Sequence, residues 1–115
     1  MRKKVTVNVT RNDINKGTHE GNSCPVACAL KRVLKKKIEV SVEGDTIMFD
    51  FPLEVDEWGG DNLEFRVAPK KVEKFVGDFD GLRPDHSDAV PRRDLKPFSF
   101  TMDIEKDYLK KEFLR

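Results

Sequence analysis

The residues with the clearest chemical potential stand at the start of the first predicted long helix. Asn22, Ser23 and Cys24 lie between Gly21 and Pro25. Main-chain amides that are free at a helix N-terminus, beside a small hydroxyl and a glycine, form an anion site that suits a phosphate or a carboxylate. Ser23 could equally serve only as the N-cap of the helix, which is the simpler interpretation because every helix start has free amides.

Cys24 adds nucleophilic chemistry to the same turn. A thiol at a helix start can act as a nucleophile or a redox sensor, but it needs a base, and the spacing fixes neither His19 nor His86 near it. Cys28 follows Cys24 by one helical turn, and cysteine and histidine are the usual zinc ligands. Structural zinc sites, however, mostly use two closely spaced pairs of ligands, and the two histidines do not form such a pair. The sequence therefore predicts a structural cysteine, no metal and no cofactor.

Two further segments carry side chains suited to a polar ligand. The segment 80–96 has the length of a functional loop and contains Arg83, Arg92 and Arg93, whose guanidinium groups match phosphates and carboxylates. Trp58 precedes two glycines, and its ring could stack on a base, anchor a protein interface or fold back over the sheet edge as a lid. The predicted ligand-binding residues are thus Asn22, Ser23, Cys24, Trp58, Arg83, Arg92 and Arg93.

Charge is separated by sign along the chain. Five cations at positions 31–37 could grip phosphates or form a solvated helix face, and five carboxylates at positions 54–64 offset them. The separation suggests a polar partner or self-association, although solvated surface is the simpler interpretation. The two sets are Lys31, Arg32, Lys35, Lys36 and Lys37, and Glu54, Asp56, Glu57, Asp61 and Glu64.

The sequence lacks the arrangements that usually mark an enzyme. It contains no phosphate-binding loop, no triad and no suitably spaced pair of carboxylates. Asp78 and Asp80 are two residues apart, and side chains at that spacing do not face each other on a helix. The sequence therefore predicts a protein that binds rather than catalyses.

The strands that must position these residues follow from hydrophobic periodicity. Alternating apolar and polar residues predict strands at 5–9, 38–42, 47–51 and 98–104, with a further short strand at 63–67. The second and third strands surround a Gly-Asp pair, which predicts a hairpin.

Apolar stripes with helical spacing predict two long helices. The first is capped by Ser23 and carries its stripe from Val26 to Leu34. The second starts at Pro69, and Gly77 could end it early.

A short helical turn is predicted between the first strand and these helices. Thr10 and Asp13 have the spacing of a capping box, and Gly17 is expected to provide a left-handed exit from the turn.

Together these elements define one α+β domain over residues 1–115. Hydrophobic residues make up 37% of the chain, which is enough for one core. The order strand, helix, strand, strand, helix, strand favours a split βαβ (ferredoxin-like) fold or a variant, with an antiparallel or mixed sheet and two helices on one face. The tail 106–115 could add a short C-terminal helix.

Composition narrows the partners and the location. The formal net charge of +1 gives no support to binding of nucleic acid through phosphates. No apolar run approaches the roughly 18 residues that cross a bilayer, and the basic start Met1–Lys4 is followed by alternating rather than continuous apolar residues. A cytoplasmic protein without membrane contact is expected.

Several of these segments together have a recognisable pattern. They are Asp13-Ile14, Gly17, the run Ser23–Arg32 with its Cys-Pro-Val-Ala helix start, and the closing Pro97–Phe100. In these residues the chain resembles a widespread group of small uncharacterised phage and prophage proteins. The resemblance covers the first third and the last strand, and it implies a phage origin and the host cytosol rather than a mechanism.

A phage origin implies binding to a host component, by one of two routes. An anti-defence protein that sequesters a nucleotide signal would use the helix-start amides at Ser23 and Cys24 together with Arg92 and Arg93, and this is the preferred prediction. A protein-binding inhibitor or regulator of a host factor would use the separated charged faces and the tail. A cysteine-dependent enzyme is the third hypothesis, and a homo-oligomer is compatible with the first two.

Overall fold

The structure is a computed structural model that describes residues 2–51, 62–80 and 91–113. The described chain contains helices together with antiparallel strands, so the predicted α+β class is confirmed. The order is β1 (Arg2–Val9), α1 (Arg11–Lys16), α2 (Pro25–Val33), β2 (Glu39–Glu43), β3 (Thr46–Phe51), β4 (Asn62–Val67), α3 (Lys70–Asp80) and β5 (Phe98–Glu105). Three single 3-10 turns lie at Arg92–Asp94, Lys106–Tyr108 and Lys111–Phe113.

The five strands in the described ranges form two antiparallel sheets. β1 pairs with β5 along its whole length, from Arg2 opposite Glu105 to Val9 opposite Phe98. β2, β3 and β4 form a three-stranded sheet in that order. The ferredoxin-like order in one sheet is therefore not found among these strands. The physical reason is that β2 and β4 occupy both edges of β3, so β3 has no edge left for β1.

The hydrophobic core lies between the sheets and the helices. α2 contacts both β1 and β2, and its apolar stripe is buried, with Leu30 fully inaccessible to solvent. The inward residues of β1 and the β2–β3 hairpin complete this side of the core, among them Val7, Ile47 and Phe49. Burial of such side chains against both sheets is what joins the two halves of the fold.

The predicted capping box and the predicted hairpin are confirmed, whereas the predicted left-handed exit at Gly17 is wrong. The capping box is present, because Thr10 and Asp13 bond each other's main-chain amides. Gly17 is not left-handed, since its φ is −63°. A Cβ at this position would instead lie 2.5 Å from Cδ of Pro25, so glycine is required because the end of α1 packs on the first residue of α2. Gly44 does have a positive φ of 56°, as the predicted hairpin requires.

The residue that follows α2 pairs with the C-terminal tail inside the core. α2 ends at Val33, and Leu34 forms an isolated antiparallel bridge with Leu109. Both leucines are fully buried. The tail is built from two 3-10 turns over the described positions, and not from the short helix expected at 106–115. Of the helices described, none is long and apolar enough to span a bilayer.

Candidate functional site

The start of α2 is capped by Cys24, and the prediction that Ser23 is the N-cap is wrong. Sγ of Cys24 accepts a hydrogen bond from the amide of Ala27 at 3.5 Å. Ser23 belongs to the preceding loop, where its carbonyl accepts from the amide of Thr18 at 2.8 Å and its hydroxyl bonds that of Thr18. The donors and acceptors of Ser23 are therefore used to close the loop before the helix.

The neighbours of Ser23 are also held by contacts within the chain. The carbonyl of Asn22 accepts from Nζ of Lys31 at 2.5 Å, and the carbonyl of Gly21 accepts from the amide of Val42 at 2.9 Å. The Cys24 side chain is buried, with 6% of the residue exposed. These contacts stabilise the loop against β2 and reduce the number of groups that could face a ligand at this helix start.

The two thiols have surroundings typical of structural cysteines. Burial raises the pKa of the Cys28 thiol, and the nearby carboxylate of Asp13 raises it further. The same thiol donates to the carbonyl of Ser23 at 3.6 Å.

The ring of His19 is stacked on Phe79, with a centroid distance of 4.6 Å. No group of three or more metal-ligating side chains occurs in the described part of the chain.

Only part of the predicted ligand-binding set lies within the described structure. Trp58 and Arg83 lie outside the described residues, as does His86. Arg93 is exposed in the 3-10 turn Arg92–Asp94, and nothing is described of the Arg92 side chain.

Asn22 does border a depression, but its chemistry does not suit an anion. The volume is about 340 Å³, and the lining includes the carboxylates of Glu39, Glu43 and Asp50. Carboxylates close to a phosphate raise its energy by like-charge repulsion. The depression therefore favours a cationic or neutral group.

The basic cluster is divided by the end of α2. Lys35, Lys36 and Lys37 follow the helix instead of extending its face. Arg32 forms an ion pair with Asp13, with NH1 2.5 Å from Oδ1. The residues of the basic cluster therefore have different structural roles and do not form one phosphate-binding helix face.

The surface that sequence reasoning did not identify is on β4. Leu63, Phe65 and Val67 are exposed by 43%, 65% and 87%. The alternating pattern predicted the strand correctly, but it could not tell which of its faces is covered. In β4 the apolar side chains point outward and the charged ones inward, which reverses the usual arrangement.

The charged side chains on the inward face of β4 contact the other sheet through one ion pair and one hydrogen bond. Glu64 lies 3.1 Å from NH2 of Arg2 and 3.6 Å from NH1 of Arg66. Arg66 also donates to the carbonyl of Asp103 at 2.8 Å. Because a slip of one residue would send both charges to the other face and break these contacts, the register of β4 keeps the apolar side chains outside.

The outer sheet face is the surface formed by the outward side chains of β2, β3 and β4. Three cross-strand rows cross it, and each runs from a polar residue on β2 to an apolar residue on β4. Carboxylates cluster near β2, Met48 is half-buried at the centre, and the apolar strip lies on β4. The rows are Glu39–Asp50–Leu63, Ser41–Met48–Phe65 and Glu43–Thr46–Val67.

Fold and surface together describe a small α+β protein with an exposed apolar strip on one sheet. Comparison of the chain with protein-family models, with curated proteins and with solved structures finds no match.

Proposed function

We propose that the protein is a non-catalytic binding protein that docks its outer sheet face onto another protein. The observation that carries the proposal is the outward apolar strip of Leu63, Phe65 and Val67 on a strand whose charged residues are turned inward. This is the second of the two kinds of function that the sequence left open, an inhibitor or regulator of a host factor.

The energetics of the strip support binding. Removing a side chain of this kind fully from water contributes about 1.5–3 kcal/mol. A patch of apolar residues rimmed by polar ones is typical of protein interaction sites. The exposed strip therefore gives a partner a hydrophobic anchor that the folded chain itself does not use.

The charges beside the strip specify the chemistry of the partner. Glu39, Glu43 and Asp50 bring three carboxylates to the β2 side of the face. A segment that presents apolar side chains next to Lys or Arg would match both halves of the face, since opposite charges across an interface speed association and select the partner. We therefore propose an amphipathic basic segment of a host protein as the binding element.

The resemblance to small phage and prophage proteins supports a host protein as the target. Sequestration of a nucleotide remains a prediction with weaker support, because Ser23 and Cys24 are engaged in contacts within the chain and the depression beside Asn22 is lined by carboxylates.

Native mass spectrometry of the protein purified from infected host cells tests the proposal. The expected result is a second protein in a fixed ratio, lost from the double variant Phe65→Ser, Val67→Ser and weakened by Glu39→Lys. Lys36→Ser changes an exposed residue away from the face and should retain the partner. A bound nucleotide that survives Phe65→Ser but is lost from Arg92→Ala, Arg93→Ala would contradict the proposal and support sequestration.

A further inference from the structure

We propose that β4 pairs edge to edge with β4 of a second copy of this chain, in antiparallel orientation, and that the two three-stranded sheets become one six-stranded sheet. The inference deepens the proposed function, because the dimer would join two outer sheet faces into one platform with a central apolar strip. Its test uses the purified chain alone and does not depend on any other partner.

The alternation of hydrogen-bonded pairs between β3 and β4 shows which main-chain groups of β4 point away from β3, toward the open edge of the sheet. The amide of Ala68 donates to the carbonyl of Asp45 at 2.8 Å. In this register the hydrogen-bonded pairs with β3 alternate, so they continue at Arg66 and Glu64. The main-chain amides and carbonyls of Leu63, Phe65 and Val67 therefore point away from β3.

On each of the other described sheet edges, at least one main-chain group is engaged by a specific contact. Val42 of β2 donates its amide to the carbonyl of Gly21 at 2.9 Å. On β1, the carbonyl of Asn8 accepts from Arg32 at 2.6 Å, and on β5 that of Asp103 accepts from Arg66 at 2.8 Å.

The edge of β4 is different. Within the described ranges no hydrogen bond to the edge-facing groups of Leu63, Phe65 or Val67 occurs. Proteins protect exposed edges by such contacts because a free edge is a template for another strand. The strand that keeps its edge available is also the one with the apolar outer face.

The sequence of β4 is complementary to itself. A twofold axis at Phe65 sets Leu63 opposite Val67 of the second copy and Glu64 opposite its Arg66, while the two Phe65 side chains face each other. Opposite charges and aromatic pairs directly across an antiparallel ladder are stabilising. Such isologous self-complementarity is what a twofold dimer requires.

Charge also selects this register over its neighbours. Only Leu63, Phe65 and Val67 direct main-chain amides and carbonyls to the open edge, so these residues must lie opposite one another in the two copies. The register between the copies can therefore change only by shifts that keep this set paired with itself. Moving the axis by one residue sets Glu64 against Glu64, or Arg66 against Arg66, and like charges directly opposite are destabilising. Of these three registers, only the one with its axis at Phe65 avoids both like-charge pairs.

Cross-linking tests the register. At an axis through Phe65 the two Cα atoms of this residue would be about 5.5 Å apart, within reach of a disulfide. Phe65→Cys should therefore form a covalent dimer under mild oxidation, in a chain carrying Cys24→Ser and Cys28→Ser. The matched control Leu63→Cys should not, because Leu63 faces Val67 of the second copy, whereas a mixture of Leu63→Cys and Val67→Cys chains should.

Sedimentation velocity tests the edge itself. The natural sequence should sediment at twice the mass of the chain, and Phe65→Pro should raise the dimer dissociation constant by about tenfold or more, since it removes an edge amide that β3 does not use. Circular dichroism checks that each variant folds.

The dimer would be disproved by a natural sequence that stays monomeric at its highest soluble concentration. Equal cross-linking of Leu63→Cys and Phe65→Cys, or a dimer unaffected by Phe65→Pro, would also disprove it. If the protein is a monomer and still binds a host protein through Phe65 and Val67, the dimer is disproved and the proposed function is supported.

Discussion

Arg32 of α2 donates hydrogen bonds from both terminal guanidinium nitrogens to the carboxylate of Asp13 in α1, at 2.5 and 2.7 Å. The same guanidinium group donates to the carbonyl of Asn8 in β1 at 2.6 Å. Asp13 is buried, with 4% of the residue exposed, and it also accepts the amide of Thr10. One ion pair thus joins three consecutive elements at the edge of the core.

Asp13→Asn should lower the free energy of unfolding by about 1–3 kcal/mol, because it weakens charge-assisted hydrogen bonds to Arg32 and half of the capping box. Urea denaturation followed by circular dichroism measures this change. Glu73→Gln, which removes an exposed carboxylate in α3, should change the value by less than about 0.5 kcal/mol. If Asp13→Asn changes the free energy of unfolding as little as the control does, the ion pair does not stabilise the fold.

The same carboxylate should make stability depend on pH. Burial acts to raise the pKa of Asp13, but the bonds from Arg32 and Thr10 outweigh burial and hold the pKa below its usual value of 3.8. A carboxyl whose pKa is lower in the folded state stabilises the fold fully above the unfolded pKa, and this contribution disappears as the pH falls through the folded pKa.

The difference in unfolding free energy between the natural sequence and Asp13→Asn should therefore be largest near neutral pH and shrink in acid. Urea titrations of both chains over a pH series measure it. A difference that stays constant, or grows as the pH falls, would mean that the folded pKa of Asp13 is not lowered.

Both thiols should react slowly with a disulfide reagent while the chain is folded. Cys24 is buried and caps α2, and burial raises the pKa of Cys28, which leaves little thiolate to react. The rate of reaction with Ellman's reagent should rise strongly in urea. Fast reaction of one thiol in the native protein would revive the hypothesis of a cysteine enzyme.

Substitutions at the cap separate the structural role of Cys24 from a chemical one. Cys24→Ser should retain the fold, because serine is a good N-cap, whereas Cys24→Ala should cost about 1 kcal/mol in the free energy of unfolding. Retained partner binding in Cys24→Ser, measured with the native complex, is expected for a non-catalytic protein.

Leu109→Ala should lower the free energy of unfolding by about 2–5 kcal/mol, because the side chain is fully buried where the tail bridges Leu34. The control Lys111→Ala changes an exposed residue two positions further on and should be nearly neutral. Thermal denaturation of both variants measures the contrast. Equal melting temperatures would mean that the tail does not belong to the core.

Gly17→Ala and Gly77→Ala should have opposite effects. A Cβ on Gly17 would meet Cδ of Pro25 at 2.5 Å, so the first variant should lose about 1–3 kcal/mol through overpacking. Gly77 lies inside α3, and an added Cβ would have no atom within 4 Å apart from its own stretch of helix, so the second should gain up to about 1 kcal/mol from helix propensity. Urea titration of the two variants side by side gives both signs.

Local features were predictable because their causes lie within a few residues. Alternation at β1 and β5 predicted the strands, the Thr10–Asp13 spacing predicted the capping box, and Gly44 with Asp45 predicted the hairpin. The cap of α2 was assigned one residue early, because Ser23 is a better N-cap by propensity and only the contact with Thr18 reveals its different use.

The sheet arrangement and the candidate surface were not predictable in the same way. Nothing in the pattern of β4 states that Arg2 will approach Glu64, or that Asp103 will accept from Arg66. Those contacts join residues far apart in the chain, and they decide which face of the strand is turned outward.

The amino-acid sequence by itself determined the α+β class, the hairpin and the short capped turn, because local periodicity and turn chemistry fix backbone conformation over short distances. Tertiary structure alone decided that the strands divide into two sheets, that Cys24 rather than Ser23 caps α2 and that the strip on β4 is exposed. The physical reason is that strand pairing and burial depend on contacts between distant segments, and a strand's own pattern is the same whichever of its faces is covered.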